Sequence, residues 1–117
     1  MILNDNYADK ARRTLSSDKD VIEHMIIGLV TEAGELMDAW KKHKFYGREL
    51  DIQNIKEELG DIHWYLGILH DEIGYSEEQA RKDNIEKLSI RYPDKFKDVI
   101  KRDQDTELNH ISKNLSE

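Results

Sequence analysis

The sequence contains no cysteine, a single proline and no long apolar run. Without cysteine the chain has no disulfide, no zinc–thiolate site and no thiol nucleophile. A transmembrane helix needs about 20 predominantly apolar residues, so we expect no membrane span and no membrane partner. The N-terminus also lacks the basic start and apolar stretch of a signal peptide, which favours a cytoplasmic location.

Basic residues are outnumbered, since 18 lysines and arginines stand against 25 aspartates and glutamates and give a net charge of −7. This balance argues against a protein that binds a nucleic-acid polymer through a basic surface. It permits an anionic nucleotide as ligand if a cation lies between the two. With 117 residues the chain is long enough for one domain, which we assign to residues 1–103, followed by a polar tail at 104–117.

Apolar residues recur with the period of a helix, and alternating β-branched runs are few. The predicted fold is therefore all-α, a bundle of about four to five helices completed by homo-oligomerisation. Asp51 is the expected N-cap of the third helix and Gly74 its C-terminal glycine. The helices are expected near residues 4–15, 19–43, 52–73 and 77–90, with a last short one after Asp94.

The two tryptophans occupy different positions around their helices. Trp40 falls on the apolar stripe of the second helix, so we expect it in the core. The third helix carries a seam of apolar residues at spacings of three and four, namely Ile52, Ile55, Leu59, Ile62, Leu66, Leu69 and Ile73. Trp64 falls opposite this seam, so we expect it to be exposed, in a subunit interface, or against the base of a bound nucleotide.

Two short acidic motifs lie inside these helical patterns. They are Glu32-x-x-Glu35 on the second helix and Glu58-x-x-Asp61 on the third. Residues three apart share one face of a helix, with Cβ atoms about 5–6 Å apart. Two such helices packed side by side can bring four carboxylates together. That arrangement suits a hard divalent cation such as Mg²⁺, with Mn²⁺ as an alternative.

Chance also produces acidic pairs in a chain with 25 acids among 117 residues, and a single pair is typical of a solvated helix face. Two pairs on successive helices, each enclosing a glycine, are stronger evidence for a site. Gly34 and Gly60 each cost about 1 kcal/mol relative to alanine in a helix. We therefore expect close helix approach or room for a ligand at both glycines.

The acidic motifs and their flanks resemble those of the MazG-like all-α nucleotide pyrophosphohydrolases, of the stand-alone phage or bacterial type. The matching segments are GLVTEAGEL at 28–36, EELGDIHWYL at 57–66, NIEKL at 84–88 and RYP at 91–93. The resemblance extends over roughly residues 7–96. For a phage member, the expected location becomes the cytoplasm of the host.

This resemblance implies Mg²⁺-dependent cleavage of a nucleoside triphosphate between its α and β phosphates, giving a monophosphate and pyrophosphate. It implies that Glu32, Glu35, Glu58 and Asp61 hold the Mg²⁺. It also implies a homodimer or homotetramer with sites completed across subunits. The residues that it assigns to substrate binding are Asn84, Lys87 and Arg91, which share one helix face by their spacing.

The chain departs from a common pattern of the family directly before the first glutamate. Many members carry an additional acid there, whereas this chain has Thr31. The general base is therefore open between Glu35 and Glu57. Two alternative functions also stay open, namely hydrolysis of an alarmone or modified nucleotide and a non-catalytic helical interaction module.

Overall fold

A computed structural model describes residues 6–94, which divide into two units at Ser76. The first unit contains α1 (Tyr7–Arg12), α2 (Val21–Tyr46) and α3 (Ile52–Ile73), and the second contains α4 (Glu77–Arg91). Residues 6–94 include no strand, so the all-α prediction is confirmed. None of the described helices combines the length and apolarity needed to cross a membrane. The predicted last helix after Asp94 and the tail at 104–117 lie outside the described residues.

The ends of the long helices follow from local chemistry. The Asp51 carboxylate caps α3 by accepting a hydrogen bond of 3.0 Å from the backbone N–H of Asn54. Gly47 after α2 and Gly74 after α3 both have φ of 68°, a conformation that glycine adopts without a steric penalty. Helix α2 continues three residues beyond the predicted end at 43 because Gly47 supplies the next stop.

Helices α2 and α3 run antiparallel, as two pairs of residues along them indicate. Met25 and Ile68 are fully buried in one core cluster, which also includes Ala11 of α1. One turn further along α2, Gly28 lies against the ring of Tyr65. Residue numbers on α2 therefore rise as those on α3 fall, and the core forms between the three helices.

The glycines that lie at contacts between helices are Gly28 and Gly67, not the predicted Gly34 and Gly60. A Cβ on Gly28 would overlap three carbons of the Tyr65 ring, and one on Gly67 would lie 2.9 Å from the Tyr7 ring. In contrast, among the described residues no atom lies within 4 Å of the Cβ position at Gly34 or Gly60. Close helix approach therefore does not occur at these two glycines within the described residues, and room for a ligand, the alternative expectation, stays a prediction.

The apolar seam of α3 is not the face that meets α2. Helix α3 presents Tyr65 and Ile68 to α2, and the seam lies about 100–180° around the helix from Ile68. Its edge residue Leu69 also packs against the core cluster. Most of the seam is half-buried or exposed in the first unit, with Ile52, Leu59 and Ile73 the most exposed members. This face can therefore still bury apolar surface against another chain.

Trp40 is not where the sequence placed it, and Trp64 is not fully exposed, which was one of its three expected environments. Trp40 is 49% exposed and contacts His43 with ring centroids 5.3 Å apart, so its assignment to the core is wrong. Trp64 lies opposite the seam as predicted, but that side carries the core. Its indole N–H donates to the Ala11 carbonyl at 3.1 Å and lies 3.0 Å from the Thr14 hydroxyl. Trp64 is therefore half-buried against the N-terminal segment rather than exposed.

Helix α1 is tied to the end of α3 by a forked ion pair. The Arg12 guanidinium donates to Asp71 at 2.7 Å and to Glu72 at 2.6 Å. Two acids in the last turn of a helix interact unfavourably with its dipole, and the arginine offsets that repulsion. The short α1 is thus held over α3 by this ion pair and by the Tyr7 ring on Gly67.

Candidate metal centre

Three carboxylates converge where α2 and α3 lie side by side. Glu32 comes from α2, and Glu58 and Asp61 come from successive turns of α3. One ligand oxygen from each residue lies within 4.8 Å of the others. Glu32 and Glu58 are half-buried and Asp61 is exposed.

The close approach of these carboxyl groups raises the pKa of Glu32. Its pKa is raised from 4.5 to about 7, first by a hydrogen bond with the Glu58 carboxyl and then by burial. The negative charges of Asp61, Glu58 and Glu35 raise the pKa further. A hydrogen bond between two carboxyl groups needs a proton, so in the absence of a cation the Glu32–Glu58 pair retains one up to near-neutral pH.

The donor set fits a hard divalent cation. All the converging groups are carboxylates, the ligands that Mg²⁺ prefers, and Mn²⁺ accepts the same oxygens. Oxygens on opposite sides of an octahedral Mg²⁺ lie about 4.2 Å apart. The 4.8 Å spread therefore needs only small side-chain movements to reach that geometry. A cation at this point would replace the proton that Glu32 and Glu58 share.

Two further acids belong to the predicted site but lie outside this three-residue group. Glu35 is exposed on α2, and its charge contributes to the raised pKa of Glu32. Glu57 is exposed on α3, beside Glu58 in the chain. The Thr31 hydroxyl donates to the Ile27 carbonyl of its own helix at 3.1 Å. The roles of Glu35 and Glu57 as ligand or base stay predictions.

The predicted substrate-binding residues of α4 are exposed or half-buried on one face of that helix. Asn84 and Lys87 are exposed, whereas Arg91 is half-buried with its guanidinium 5.9 Å from the centroid of the Tyr92 ring. Their contact with a triphosphate stays a prediction, as does the contact between Trp64 and a nucleotide base.

The contact between Gly28 and Tyr65, which sets the distance between the helices beside the carboxylates, was not predicted from the sequence. Gly28 precedes Glu32 by one turn, and Tyr65 follows Asp61 by one turn. The absence of a side chain at Gly28 admits the Tyr65 ring between the backbones. A glycine four residues before the first acid, on the same face, was the available signal.

The raised pKa of Glu32 predicts how the stability of the metal-free protein depends on pH. The folded state retains this proton at higher pH than the unfolded chain, whose glutamate titrates near 4.5. The associated stabilisation is complete below about pH 4.5 and is lost as the pH rises through about 7. We expect the free energy of unfolding, measured by urea denaturation in a chelator, to fall between about pH 5 and about pH 8.

The variant Glu32→Gln provides the control, because a neutral amide cannot titrate. Its stability should be flatter across the same range, and adding Mg²⁺ at about pH 8 should stabilise the unmodified chain but not the variant. Equal pH slopes for the two proteins would contradict the assignment of the shared proton to Glu32.

Comparison with known proteins gives one family match. The model of the MazG nucleotide pyrophosphohydrolase domain matches residues 21–96, which is more than half of the chain. The matched range contains both acidic motifs and all of α4. Comparisons with curated proteins and with solved structures gave no match. The resemblance stated from the motifs is confirmed, and the chain belongs to the MazG nucleotide pyrophosphohydrolase domain family.

Proposed function

We propose that the protein is a Mg²⁺-dependent pyrophosphohydrolase that cleaves a nucleoside triphosphate between its α and β phosphates. The products are a nucleoside monophosphate and pyrophosphate. The observation that carries the proposal is the convergence of Glu32, Glu58 and Asp61 within 4.8 Å, inside the segment that matches the family. An acidic protein can hold an anionic triphosphate at such a point because a divalent cation offsets the repulsion.

The carboxylates have separable tasks in this proposal. Glu32, Glu58 and Asp61 would hold the cation. Glu35 would be either the fourth ligand, which the family pattern assigns, or the base. A cation held by these residues would neutralise charge on the phosphates and acidify an attacking water. The fixed position of Asp61 and Glu58 on one helix, facing Glu32 on the other, orients the phosphates before the reaction and lowers the entropic cost of reaching the transition state.

Removal of a proton from the attacking water needs a carboxylate that is not fully engaged as a ligand. Glu35 lies near enough for its charge to raise the pKa of Glu32, which supports it over Glu57 as the base. Glu57 stays the second candidate. Asn84, Lys87 and Arg91 are proposed to contact the phosphate oxygens, for which cationic donors are suited.

We also propose that the active form is a homodimer or homotetramer. The support is the amount of apolar surface that the first unit leaves accessible on two neighbouring helices. On α2, Ile22 and Ile26 are exposed, and on α3, Leu59 and Ile73 are exposed. Burial of such a face between copies is the usual way in which obligate oligomers gain stability.

A substrate panel tests the catalytic proposal. The purified protein is incubated with ribo- and deoxynucleoside triphosphates, a modified nucleotide and an alarmone, with Mg²⁺, with Mn²⁺ or with a chelator. We expect pyrophosphate release that depends on the metal, while orthophosphate release stays at background. Orthophosphate as the first product would place cleavage at another bond. No hydrolysis of any member with either metal would favour a non-catalytic interaction module.

A further inference from the structure

One face of α2 points away from the rest of the first unit. We define this outer face by seven residues at alternating spacings of four and three: Glu23, Ile27, Val30, Gly34, Met37, Lys41 and Lys44. Residues at that spacing form one continuous row along a helix. Gly34, at the centre of the row, lies about 160–180° from Met25 and Glu32, which face α3, and the other members lie about 100–180° from them. One face of α2 therefore packs against α3, and the outer face lies on the opposite side.

The middle of the outer face is apolar and accessible. Val30 is 70% exposed, Met37 60% and Ile27 57%, which places them among the most exposed large apolar residues of α2. The side of a surface helix that lies opposite its core is ordinarily polar. Three large apolar residues in one row on that side are characteristic of a surface that another element covers.

Gly34 lies at the centre of this row and at the midpoint of α2. Glycine is the poorest helix former after proline, so its presence in the middle of a 26-residue helix calls for a reason. Within residues 6–94 nothing approaches the place where its Cβ would be. A helix of another molecule could approach the α2 backbone most closely at this point.

The two ends of the outer face carry opposite charges. Glu23 lies at the N-terminal end, and Lys41 and Lys44 lie at the C-terminal end. In the described part of the chain none of these three side chains has an ion-pair partner. Such a row is complementary to itself when turned end to end, because the acid of one copy then meets the lysines of the other.

We propose that the outer face of α2 pairs antiparallel with the same face of a second copy, about a two-fold axis at Gly34. This register places Val30 of each copy beside the partner subunit's Met37. It places Ile27 beneath the aliphatic part of the partner subunit's Lys41. The ammonium groups of Lys41 and Lys44 then reach the partner subunit's Glu23.

This interface lies on the opposite side of α2 from Glu32, so it goes beyond the proposed catalytic function and does not rest on it. It is also separate from the apolar seam of α3. A chain that pairs through the seam of α3 and through the outer face of α2 has two different two-fold contacts. Together they generate a tetramer, whereas either one alone generates a dimer.

Cross-linking tests the register directly, because the chain has no native cysteine. In the antiparallel pairing, Val30 of one copy lies near Met37 of the other, whereas like residues are separated by about 9–12 Å along the helix. We expect an equimolar mixture of Val30→Cys and Met37→Cys chains to form a disulfide-linked heterodimer on mild oxidation. Each variant oxidised alone should yield little dimer.

Other outcomes of this experiment overturn the proposal. Efficient disulfide formation by Val30→Cys alone would indicate parallel pairing. An absence of cross-links in all three samples, together with an unchanged assembly in the variants below, would show that a different partner covers the outer face.

Charge-reversal variants, studied by sedimentation equilibrium, measure how much the charged ends of the outer face contribute to association. Glu23→Lys and Lys44→Glu should each weaken association through this face by about tenfold, because each creates like-charge contacts at two symmetric places. The double variant should regain most of the loss. Lys10→Glu on α1 is the control for a charge change off this face and should have no effect. Failure of the double variant to restore association would overturn the charge pairing.

Gly34→Leu separates assembly from folding. Leucine is the better helix former, so the isolated chain should not lose helix content by circular dichroism. Its side chain occupies the proposed axis, so association through the outer face should be lost. Unchanged association of this variant would overturn the placement of the axis at Gly34.

Discussion

Replacement of Glu58 by glutamine should lower metal-dependent pyrophosphate release by more than about a hundredfold, since the loss of groups that only support a metal ligand already costs about 10–100-fold. Glutamine keeps the size of the side chain but removes one negative charge and the carboxyl partner of Glu32. The variant should therefore bind the cation more weakly and orient the phosphates less well. The measurement is kcat/KM with the best nucleotide of the panel, over a range of Mg²⁺ concentrations.

Two further glutamine variants are compared with Glu58→Gln. Glu49→Gln removes an acid just before α3, outside the three-residue group, and should leave kcat/KM within a factor of about two to three, as is typical of surface substitutions. Glu57→Gln tests the neighbouring acid. If its kcat/KM falls while its Mg²⁺ dependence stays unchanged, Glu57 rather than Glu35 is the base. Activity of Glu58→Gln close to that of the unmodified protein would disprove the metal centre.

Replacement of Gly28 by alanine should destabilise the fold by about 2 kcal/mol, although alanine is the better helix former. The added methyl overlaps the Tyr65 ring, which is half-buried and packs edge-on against Trp64 at 4.9 Å. Overpacking of this kind costs about 1–3 kcal/mol, and an overlap with three ring carbons belongs at the upper end. The higher helix propensity of alanine offsets about 1 kcal/mol of this cost. Urea denaturation measures the difference.

The same substitution at Gly60 is the control, because no atom within the described residues lies near its Cβ position. We expect Gly60→Ala to stabilise the chain by about 1 kcal/mol. Combining Gly28→Ala with Tyr65→Ala should cost less than the sum of the two single changes, since the overlap disappears with the ring. Equal stabilisation by Gly28→Ala and Gly60→Ala would mean that the Tyr65 ring moves aside without cost.

Local features of this fold could be predicted from the sequence because neighbours in the chain determine them. Asp51 caps α3 through a residue three positions away, and Gly47 and Gly74 end their helices through their own backbone conformation. The convergence of Glu32 with Glu58 and Asp61 was also predictable. It needs only that two helices joined by a short loop pack against each other.

Which face of each helix is buried could not be predicted in the same way. Helical periodicity identifies an apolar row on α3 but does not say which neighbour covers it. The row of isoleucines and leucines was the more hydrophobic, yet α2 meets the side with Tyr65 and Ile68. Aromatic residues bury large areas even when a polar group interrupts their row. Trp40 was placed in the core for the same reason, since its row is apolar but accessible in a single chain.

The six-residue α1 should come away from α3 more easily than α2 does. A six-residue helix is too short to be stable by itself, so its structure depends on contacts with α3. Those contacts are an exposed ion pair, the Tyr7 ring, the hydrogen bond from Trp64 and the packing of Ala11 in the core cluster. Release of α1 would expose the Trp64 indole and part of the core while α2 and α3 stayed paired. We therefore expect the N-terminal segment to unfold locally, with hydrogen exchange at its amides faster than at Met25 or Ile68.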